Sequence, residues 1–267
     1  MLFKNMGNLR KYGRKPYSLA VIHGGPGAPG EMAPVARKFS SILGVLEPLQ
    51  TATIIEGQVE ELKIVLLENG AIPITIIGFS WGAMLSFIFT AKNPSFVNKL
   101  IMISSGPYEE KYAVNIMGTR LNRLNDRERK EVLLLSDTLN DSSTKEKNIL
   151  MAKLGKLIFR ADLFNPLPHD SETIEYQYDI YQSIWEDVRE LRSSRKLLKL
   201  GENIVCPVVA IHGDYDSHPF EGVRNPLSRI LKDFRFILLE KCGHYPWLER
   251  DAKDRFYDIL KNESKMS

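Results

Sequence analysis

One segment of the sequence limits the fold more than any other, a run of β-branched residues that leads into a serine between two glycines. Residues Ile72–Phe79 have the composition of a buried central strand, which ends in the pentapeptide GFSWG at residues 78–82. The apolar stretch Ala83–Ala91 then predicts a helix. A strand, a tight turn and a helix in this order indicate a βαβ unit of a parallel sheet, with Ser80 at the turn.

The same alternation of short apolar runs and helix-period segments continues along most of the chain. We predict further strands at Ser18–Ile22, Gly44–Leu49, Leu100–Ile103, Val205–His212 and Phe234–Leu239. We predict further helices at Met32–Leu43, Glu56–Glu68, Pro226–Leu231 and Pro246–Leu260. This pattern is typical of an α/β fold in which helices flank a mostly parallel central sheet.

Residues 108–203 interrupt the alternation, because they are charged and helix-prone and contain no convincing strand. We interpret this helical insertion as a cap over the carboxyl edge of the sheet, where open α/β sheets build their sites. The sequence therefore predicts a core of residues 1–107 and 204–267 and a helical cap of residues 108–203. The cap is inserted before the strand that carries the candidate acid described below.

Composition excludes several classes of function. The chain has 36 basic and 33 acidic residues, and acids or apolar positions interrupt its basic clusters, so no nucleic-acid partner is expected. No run approaches the roughly 18 apolar residues of a membrane span, and residues 1–15 lack the apolar centre of a signal peptide. Two cysteines make no disulfide framework, so we expect a cytoplasmic protein without a membrane partner.

A serine hydroxyl becomes a nucleophile when an imidazole takes its proton and a carboxylate orients that imidazole. Candidates for both partners follow Ser80 in the chain, each just past the end of a predicted strand. Asp216 is the candidate acid because the Gly-x-x-Asp spacing from Gly213 places it beyond the end of the strand. Asp214 is the reserve candidate and is better suited to forming a turn. His244 is the candidate base. The order Ser, Asp, His at one sheet edge predicts a catalytic triad.

The remaining histidines have other interpretations. His218 lies close to Asp216 in the chain and is the second choice for the base, while His169 is predicted to be a loop residue of the cap. His212, Asp214, Asp216 and His218 form a local group of possible metal ligands. Because the spacing of this group matches no standard ligand pattern, we predict no metal site.

A second glycine-rich turn, HGGPG at residues 23–27, follows the first predicted strand. No Gly-Lys-Ser/Thr follows it, so it does not match a phosphate-binding loop. The tetrahedral intermediate of acyl transfer requires two preorganised N–H donors, one from such a loop and one from the residue after the nucleophile. We therefore predict that the N–H groups of Gly25 and Trp81 form an oxyanion hole, with Gly24 as the alternative loop donor.

The HGGPG loop, the GFSWG turn, a later Gly-x-x-Asp and a Gly-His pair resemble the proline iminopeptidase branch of the α/β-hydrolases. The resemblance covers both halves of the predicted sheet, with the motifs in order. It implies an α/β-hydrolase fold, a helical cap, no cofactor, and the release of N-terminal residues from a substrate. The triad it implies consists of Ser80, Asp216 and His244, and it implies that Trp185 and Glu186 of the cap bind the substrate.

Two features depart from that branch. Residues 47–51 stand where its members carry a turn that contains arginine and glycine. Only about 22 residues precede His23, so the leading antiparallel strands are expected to be shortened or missing.

Three functions stay open on the sequence. The first is a serine hydrolase that cleaves a small ester or amide through an acyl-enzyme on Ser80, with a small molecule or short peptide as its partner. The second is an aminopeptidase, in which Glu186 or Glu175 would face Ser80 and pair with a substrate ammonium. The third is a ligand receptor that keeps the hydrolase fold with little turnover, and the complete triad argues against it. The sequence does not define the oligomeric state.

Overall fold

A computed structural model describes residues 8–264 and shows a seven-stranded sheet with helices on both faces. The strands are Leu9–Tyr12 (β1), Tyr17–Ile22 (β2), Gly44–Pro48 (β3), Gly70–Phe79 (β4), Val97–Ile103 (β5), Val208–Gly213 (β6) and Phe234–Leu239 (β7). Their spatial order is β1-β3-β2-β4-β5-β6-β7, and every neighbouring pair is parallel except β1 with β3. This confirms the predicted α/β fold with a mostly parallel sheet.

The α-helices of the described residues fall into two groups, those that cover the sheet and those inserted between β5 and β6. The first group is Ala33–Phe39 (α1), Ile55–Asn69 (α2), Trp81–Lys92 (α3), Glu221–Ile230 (α9) and Lys253–Glu263 (α10). The second group is Ile116–Asn122 (α4), Asp126–Asn140 (α5), Lys147–Ala161 (α6), Tyr178–Ser193 (α7) and Lys196–Lys199 (α8).

The central strands are buried on both faces, which accounts for their nearly continuous apolar sequences. Along β2, Ala20 and Ile22 belong to the apolar cluster that includes residues of α2, α3 and α9, whereas Leu19 and Val21 belong to the cluster that includes residues of α1 and α10. Helix α3 is buried over residues 81–91. The turn between β4 and α3 is therefore fixed by the core on the strand side and on the helix side.

The segment between β5 and β6 has a small apolar core of its own. Val132 of α5 and Ala161 of α6 lie in one cluster there. Within the described residues, its extended structure is limited to an isolated bridge between Pro166 and Glu249. The helical character predicted for residues 108–203 is thus observed, and the division of the chain into core and cap units stays a prediction.

This helical segment also contacts the loop that follows β2. The backbone N–H groups of Ile174 and Gln177 donate to the carbonyl oxygens of Pro29 and Gly27, at 2.9 and 2.7 Å. Gly27 has a φ of 74°, and a Cβ there would collide with the carbonyl oxygen of Gln177. Glycine is required at this point because the two backbones approach so closely.

Some predicted boundaries differ from the structure. A short leading strand, β1, is present among the described residues and pairs antiparallel with β3, so a leading antiparallel strand is not missing. The helix predicted to begin at Pro226 begins at Glu221, with the proline inside α9. The predicted helix Pro246–Leu260 is divided into a 3₁₀ turn, Pro246–Leu248, and α10. Among residues 8–264, no helix combines the length and apolar character that crossing a membrane requires.

Candidate active site

Ser80 occupies the turn between β4 and α3 with a positive φ of 52° and a ψ of −115°. This conformation is strained for a residue with a Cβ, and such strain is characteristic of the nucleophile turn in a Gly-x-Ser-x-Gly motif. A Cβ on Gly78 would collide with the carbonyl oxygen of Gly82. A Cβ on Gly82 would collide with the carbonyl oxygens of Ile22 and His23. Both glycines are therefore packing requirements of the turn.

Three of the predicted site residues lie in one hydrogen-bonded chain. The Nε2 atom of His244 is 3.0 Å from Oγ of Ser80, and its Nδ1 atom is 2.7 Å from Oδ2 of Asp216. Because they follow β4, β6 and β7, the parallel sheet brings all three to the same carboxyl edge. A carboxylate only accepts hydrogen bonds, so Nδ1 of His244 carries the proton and Nε2 is free to accept from Ser80.

Burial and mutual interaction set the charges in this chain. Burial opposes ionisation of Asp216, but its histidine neighbours, His244 first, hold the pKa of Asp216 well below its ordinary value of 3.8. Burial also opposes a charged His244, yet the charge and hydrogen bond of Asp216 raise the pKa of His244 above 6.5. An ionised Asp216 thus stabilises the imidazolium that forms when His244 accepts a proton.

Two more histidines contact the same carboxylate. The backbone N–H and the ring Nδ1 of His218 each lie 2.9 Å from Oδ1 of Asp216. The Nε2 atom of His212 lies 3.3 Å from Oδ2. The potential ligand atoms of Asp216, His218 and His244 fall within 4.8 Å of one another, and N–H···O hydrogen bonds to the carboxylate account for that proximity. His218, the second candidate for the base, contacts the acid, whereas His244 contacts Ser80.

The HGGPG loop lies beside the nucleophile because β2 and β4 are neighbours in the sheet. Burial lowers the pKa of His23 to about 4, and the neutral ring donates from Nδ1 to the carbonyl oxygen of Gly24, 2.7 Å away. Gly25 has a φ of 32°. Trp81 opens α3, so its N–H has no acceptor within the helix. Gly25 and Trp81 lie in the two segments that border Ser80, and their role as oxyanion donors stays a prediction.

Glu31 brings a carboxyl group to this loop. Its Oε2 atom is buried with no hydrogen-bond partner among the described residues, and a Cβ on Gly24 would lie 2.8 Å from it. Burial raises the pKa of Glu31 to about 7, against the lowering effects of His244 and of the nearby backbone N–H of Gly24. Burial, together with the charge of Glu31, raises the pKa of Tyr245 far above its ordinary value. A carboxyl group that titrates near neutral pH therefore lies close to the base.

The loop that carries His244 is held by the helical segment between β5 and β6. The backbone N–H of His244 donates to the carbonyl oxygen of Asp162, 2.8 Å away. The carboxylate of Asp162 accepts from Nε and Nη2 of Arg120, at 2.9 and 2.7 Å, in a largely buried ion pair. The position of the base thus depends on a residue at the end of α6.

A second carboxylate, that of Glu249, joins the same two segments. The side chain is fully buried and accepts hydrogen bonds from three backbone N–H groups. These belong to Phe164 at 2.8 Å, Asn165 at 2.7 Å and Gly243 at 2.9 Å. Glu249 therefore ties the residue before His244 to the chain that follows α6.

The sequence profile described as alpha/beta hydrolase fold matches residues 47–251, which is more than half of the chain. The chain belongs to the α/β-hydrolase fold family. No curated protein sequence matches it.

Solved structures of other α/β-hydrolases share this architecture at low identity. VinJ is 17% identical with a TM-score of 0.67, over 95% of this chain and 93% of its own. E-2-(Acetamidomethylene)succinate hydrolase is 17% identical with a TM-score of 0.62, over 97% and 94%. The monoacylglycerol lipase of Paleococcus ferrophilus is 15% identical with a TM-score of 0.61, over 95% and 96%. At these identities the likeness shows the fold alone, and the proline iminopeptidase branch stays a prediction.

In this α/β-hydrolase, the two residues of α7 predicted to bind substrate have different surroundings. Trp185 is half-buried, and its ring centroid is 6.2 Å from that of Trp81. Glu186 is exposed, and its Oε1 accepts a hydrogen bond from Gln182 one turn earlier in α7, at 3.1 Å. The structure thus brings Trp185, and not Glu186, against the residue after Ser80. The substrate-binding role of both stays a prediction.

Asp214, the reserve candidate for the acid, and His169, the predicted loop residue, make contacts away from Ser80. Asp214 is exposed, and its Oδ1 accepts from the backbone N–H of Cys242 at 3.1 Å, so it braces the loop that leads to His244. His169 is an exposed residue of an irregular segment, with its ring 5.1 Å from that of Phe159. Neither contact involves Ser80.

Sequence reasoning missed the contributions of Glu31, Asp162 and Glu249 to this site. The contacts of Asp162 and Glu249 join segments that are far apart in the chain, and no local pattern indicates them. Glu31 gave a usable signal, because an acidic residue directly after a glycine-rich turn stands out in an otherwise apolar segment.

Proposed function

We propose that this protein is a serine hydrolase that cleaves a small ester or amide through an acyl-enzyme on Ser80. The observation that carries the proposal is the chain of contacts from Ser80 through His244 to Asp216, at 3.0 and 2.7 Å. A strained serine with a base in reach and an acid behind that base is the arrangement that activates a hydroxyl for attack on a carbonyl. The substrate in this proposal is a small molecule or a short peptide.

In the first step, Oγ of Ser80 attacks the carbonyl carbon while Nε2 of His244 takes its proton. The ionised Asp216 stabilises the resulting imidazolium through the hydrogen bond at Nδ1. The N–H groups of Gly25 and Trp81 hold the oxyanion, and removal of one such donor typically costs about 10²–10³ in kcat. The leaving group takes the proton from His244 as its bond to the carbonyl carbon breaks.

In the second step, water replaces the leaving group. His244 takes a proton from the water as its oxygen attacks the acyl carbon, and the same two N–H groups hold the second oxyanion. The bond to Oγ of Ser80 then breaks, and His244 returns the proton to Ser80. The enzyme ends in its starting protonation state, with the acid product released.

The test of this proposal is pre-steady-state hydrolysis of p-nitrophenyl acetate. We expect a burst of p-nitrophenol stoichiometric with enzyme, and an acetyl group on Ser80 in the mass spectrum of the quenched protein. Ser80→Ala should give neither, while Ser194→Ala, which alters an exposed serine between α7 and α8, should keep both. A burst retained by Ser80→Ala would contradict the proposal. A wild type that binds a ligand without turnover would favour the receptor hypothesis.

An aminopeptidase is a second candidate, and Glu31 is the observation that favours it. Its Oε2 atom is buried beside Gly24 with no hydrogen-bond partner among the residues that the structure describes. A substrate ammonium would give Oε2 a donor of opposite charge and stabilise the ionised form of a carboxyl group whose pKa burial raises to about 7. The exposed Glu186 has no comparable reason to recruit a cation.

Comparison of alanine p-nitroanilide with acetyl esters tests this second candidate. Glu31→Gln should lower kcat/KM for the aminoacyl anilide about 10-fold or more, since a charge-assisted hydrogen bond is lost. The same variant should change acetyl ester hydrolysis less than about threefold, and Glu186→Gln should leave both substrates unaffected. If the wild type ignores the anilide, or if Glu31→Gln lowers both substrates equally, the peptidase candidate is excluded.

A further inference from the structure

The His218 side chain contacts the candidate acid Asp216, as His244 does, and it also lies against His244, the candidate base. Its backbone N–H and its ring Nδ1 both lie 2.9 Å from Oδ1 of Asp216. Its ring stacks on that of His244, with centroids 4.7 Å apart and planes inclined by 30°. One side chain therefore touches both partners on which activation of Ser80 depends.

The hydrogen bonds fix the tautomers in this cluster. Because the Asp216 carboxylate only accepts, Nδ1 of His218 and Nδ1 of His244 must both carry protons. The Nε2 atom of His212 is 2.9 Å from the carbonyl oxygen of His218 and therefore donates as well. Asp216 therefore accepts from the ring of His218 at Oδ1 and from the ring of His244 at Oδ2. These two hydrogen bonds oppose rotation of the carboxylate about its Cβ–Cγ bond.

His218 stays neutral while it makes these contacts. Burial lowers the pKa of His218 to about 4, against the opposing charge of Asp216. A neutral donor supports the carboxylate without competing for the proton that His244 takes from Ser80. The buried cluster therefore needs to accommodate one imidazolium at a time.

We propose that His218 is a positioning residue that holds the Asp216 carboxylate in the orientation from which it binds Nδ1 of His244. This role rests on the proposed acyl transfer. Without the ring N–H, Oδ1 of Asp216 keeps only a backbone donor, and the carboxylate can turn away from His244. The base is then misoriented, and a small displacement of a catalytic group costs up to about 100-fold in rate.

Other titratable or charged groups face this cluster and contribute to its pH dependence. They come from β6, the segment between β5 and β6, and the loop before α1, and they are His212, Asp162, Arg120 and Glu31. The variants below leave all of them unchanged, so a difference between two variants reports the change at position 218.

The test compares His218→Leu, which removes the ring donor, with His218→Asn, whose amide nitrogen replaces Nδ1. With p-nitrophenyl acetate we expect His218→Leu to lower kcat about 10-fold to 100-fold, with KM changed less than about twofold. We expect the acid limb of its kcat/KM profile to move to lower pH, because a loosened Asp216 no longer raises the pKa of His244. His218→Asn should restore most of kcat and the position of that limb.

Three results would overturn this role: wild-type kcat in His218→Leu, equal losses in both variants, or a loss in His218→Leu with an unmoved acid limb. A loss of kcat with an unmoved acid limb would mean that the His218 ring contributes through packing and does not position Asp216. If thermal unfolding shows that His218→Leu is not folded, His218→Gln takes its place, because its longer side chain carries the amide beyond the Nδ1 position. A wild type without an acyl burst would instead reject the proposed function, and the role of His218 with it.

Discussion

The backbone N–H of His244 donates to the carbonyl oxygen of Asp162, 2.8 Å away. Asp162 follows α6, so the candidate base is positioned by a segment that lies outside the sheet and its covering helices. The buried pair of Asp162 with Arg120 stiffens this contact. The helical segment between β5 and β6 therefore contributes to the orientation of His244.

Substitution of Glu249 tests whether the position of His244 depends on the segment between β5 and β6. Its carboxylate accepts from Gly243, Phe164 and Asn165, and glutamine offers one acceptor oxygen and a competing N–H₂ group. We expect Glu249→Gln to lower the free energy of unfolding by about 1–3 kcal/mol, with a lower kcat. Urea denaturation measures the first and p-nitrophenyl acetate the second. The control is Glu240→Gln, the same change at an exposed position, and equal behaviour of the two variants would contradict this view.

The pH dependence of kcat/KM tests the protonation states assigned to His244 and Asp216. His244 must be neutral to accept the proton of Ser80, and Asp216 raises the pKa of His244 above 6.5. Asp216 itself stays ionised, because its pKa lies well below 3.8. Activity should therefore rise with pH through an acid limb above 6.5, as His244 loses its proton. An acid limb below pH 6.5 would contradict the raised pKa of His244, and a profile with no acid limb above about pH 5 would show that His244 is not the base.

The two aspartates after β6 offer a matched comparison. Asp216→Asn removes the charge and the acceptor that fix the tautomer of His244, so we expect kcat to fall about 10⁴-fold. Asp214→Asn keeps an acceptor oxygen for the N–H of Cys242, so we expect kcat within about threefold of wild type. Steady-state hydrolysis of p-nitrophenyl acetate measures both. The reverse order of effects would make Asp214 the acid.

The strands were predictable because burial on both faces leaves nearly continuous apolar runs, as in β4 and β5. Helix ends were less predictable. Pro226 has a strong preference for the first turn of a helix, yet α9 begins at Glu221 because packing of Val223 and Leu227 outweighs that preference. The helix expected over Pro246–Leu260 is interrupted at Glu249, whose side chain is committed to backbone N–H groups of other segments.

The site was predictable where chain order and strand ends carried the information. Ser80, Asp216 and His244 each follow a parallel strand, and parallel strands end at one edge. The roles of Asp162 and Glu31 depend on how the inserted segment and the loop before α1 return to that edge. Such returns have no periodic signature, so the contact of Asp162 with His244 could not be predicted from the sequence, and Glu31 was marked only by its place after a glycine-rich turn.

The measurement that tests the central claim most directly is labelling with a fluorophosphonate, which reacts only with an activated serine. We expect the wild type to gain one phosphonyl group on the peptide that contains Ser80, and Ser80→Ala to gain none. Asp216→Asn should react far more slowly, since its His244 lacks the orienting carboxylate. Equal labelling of wild type and Ser80→Ala, or a label on another serine, would contradict the assignment of Ser80 as the nucleophile.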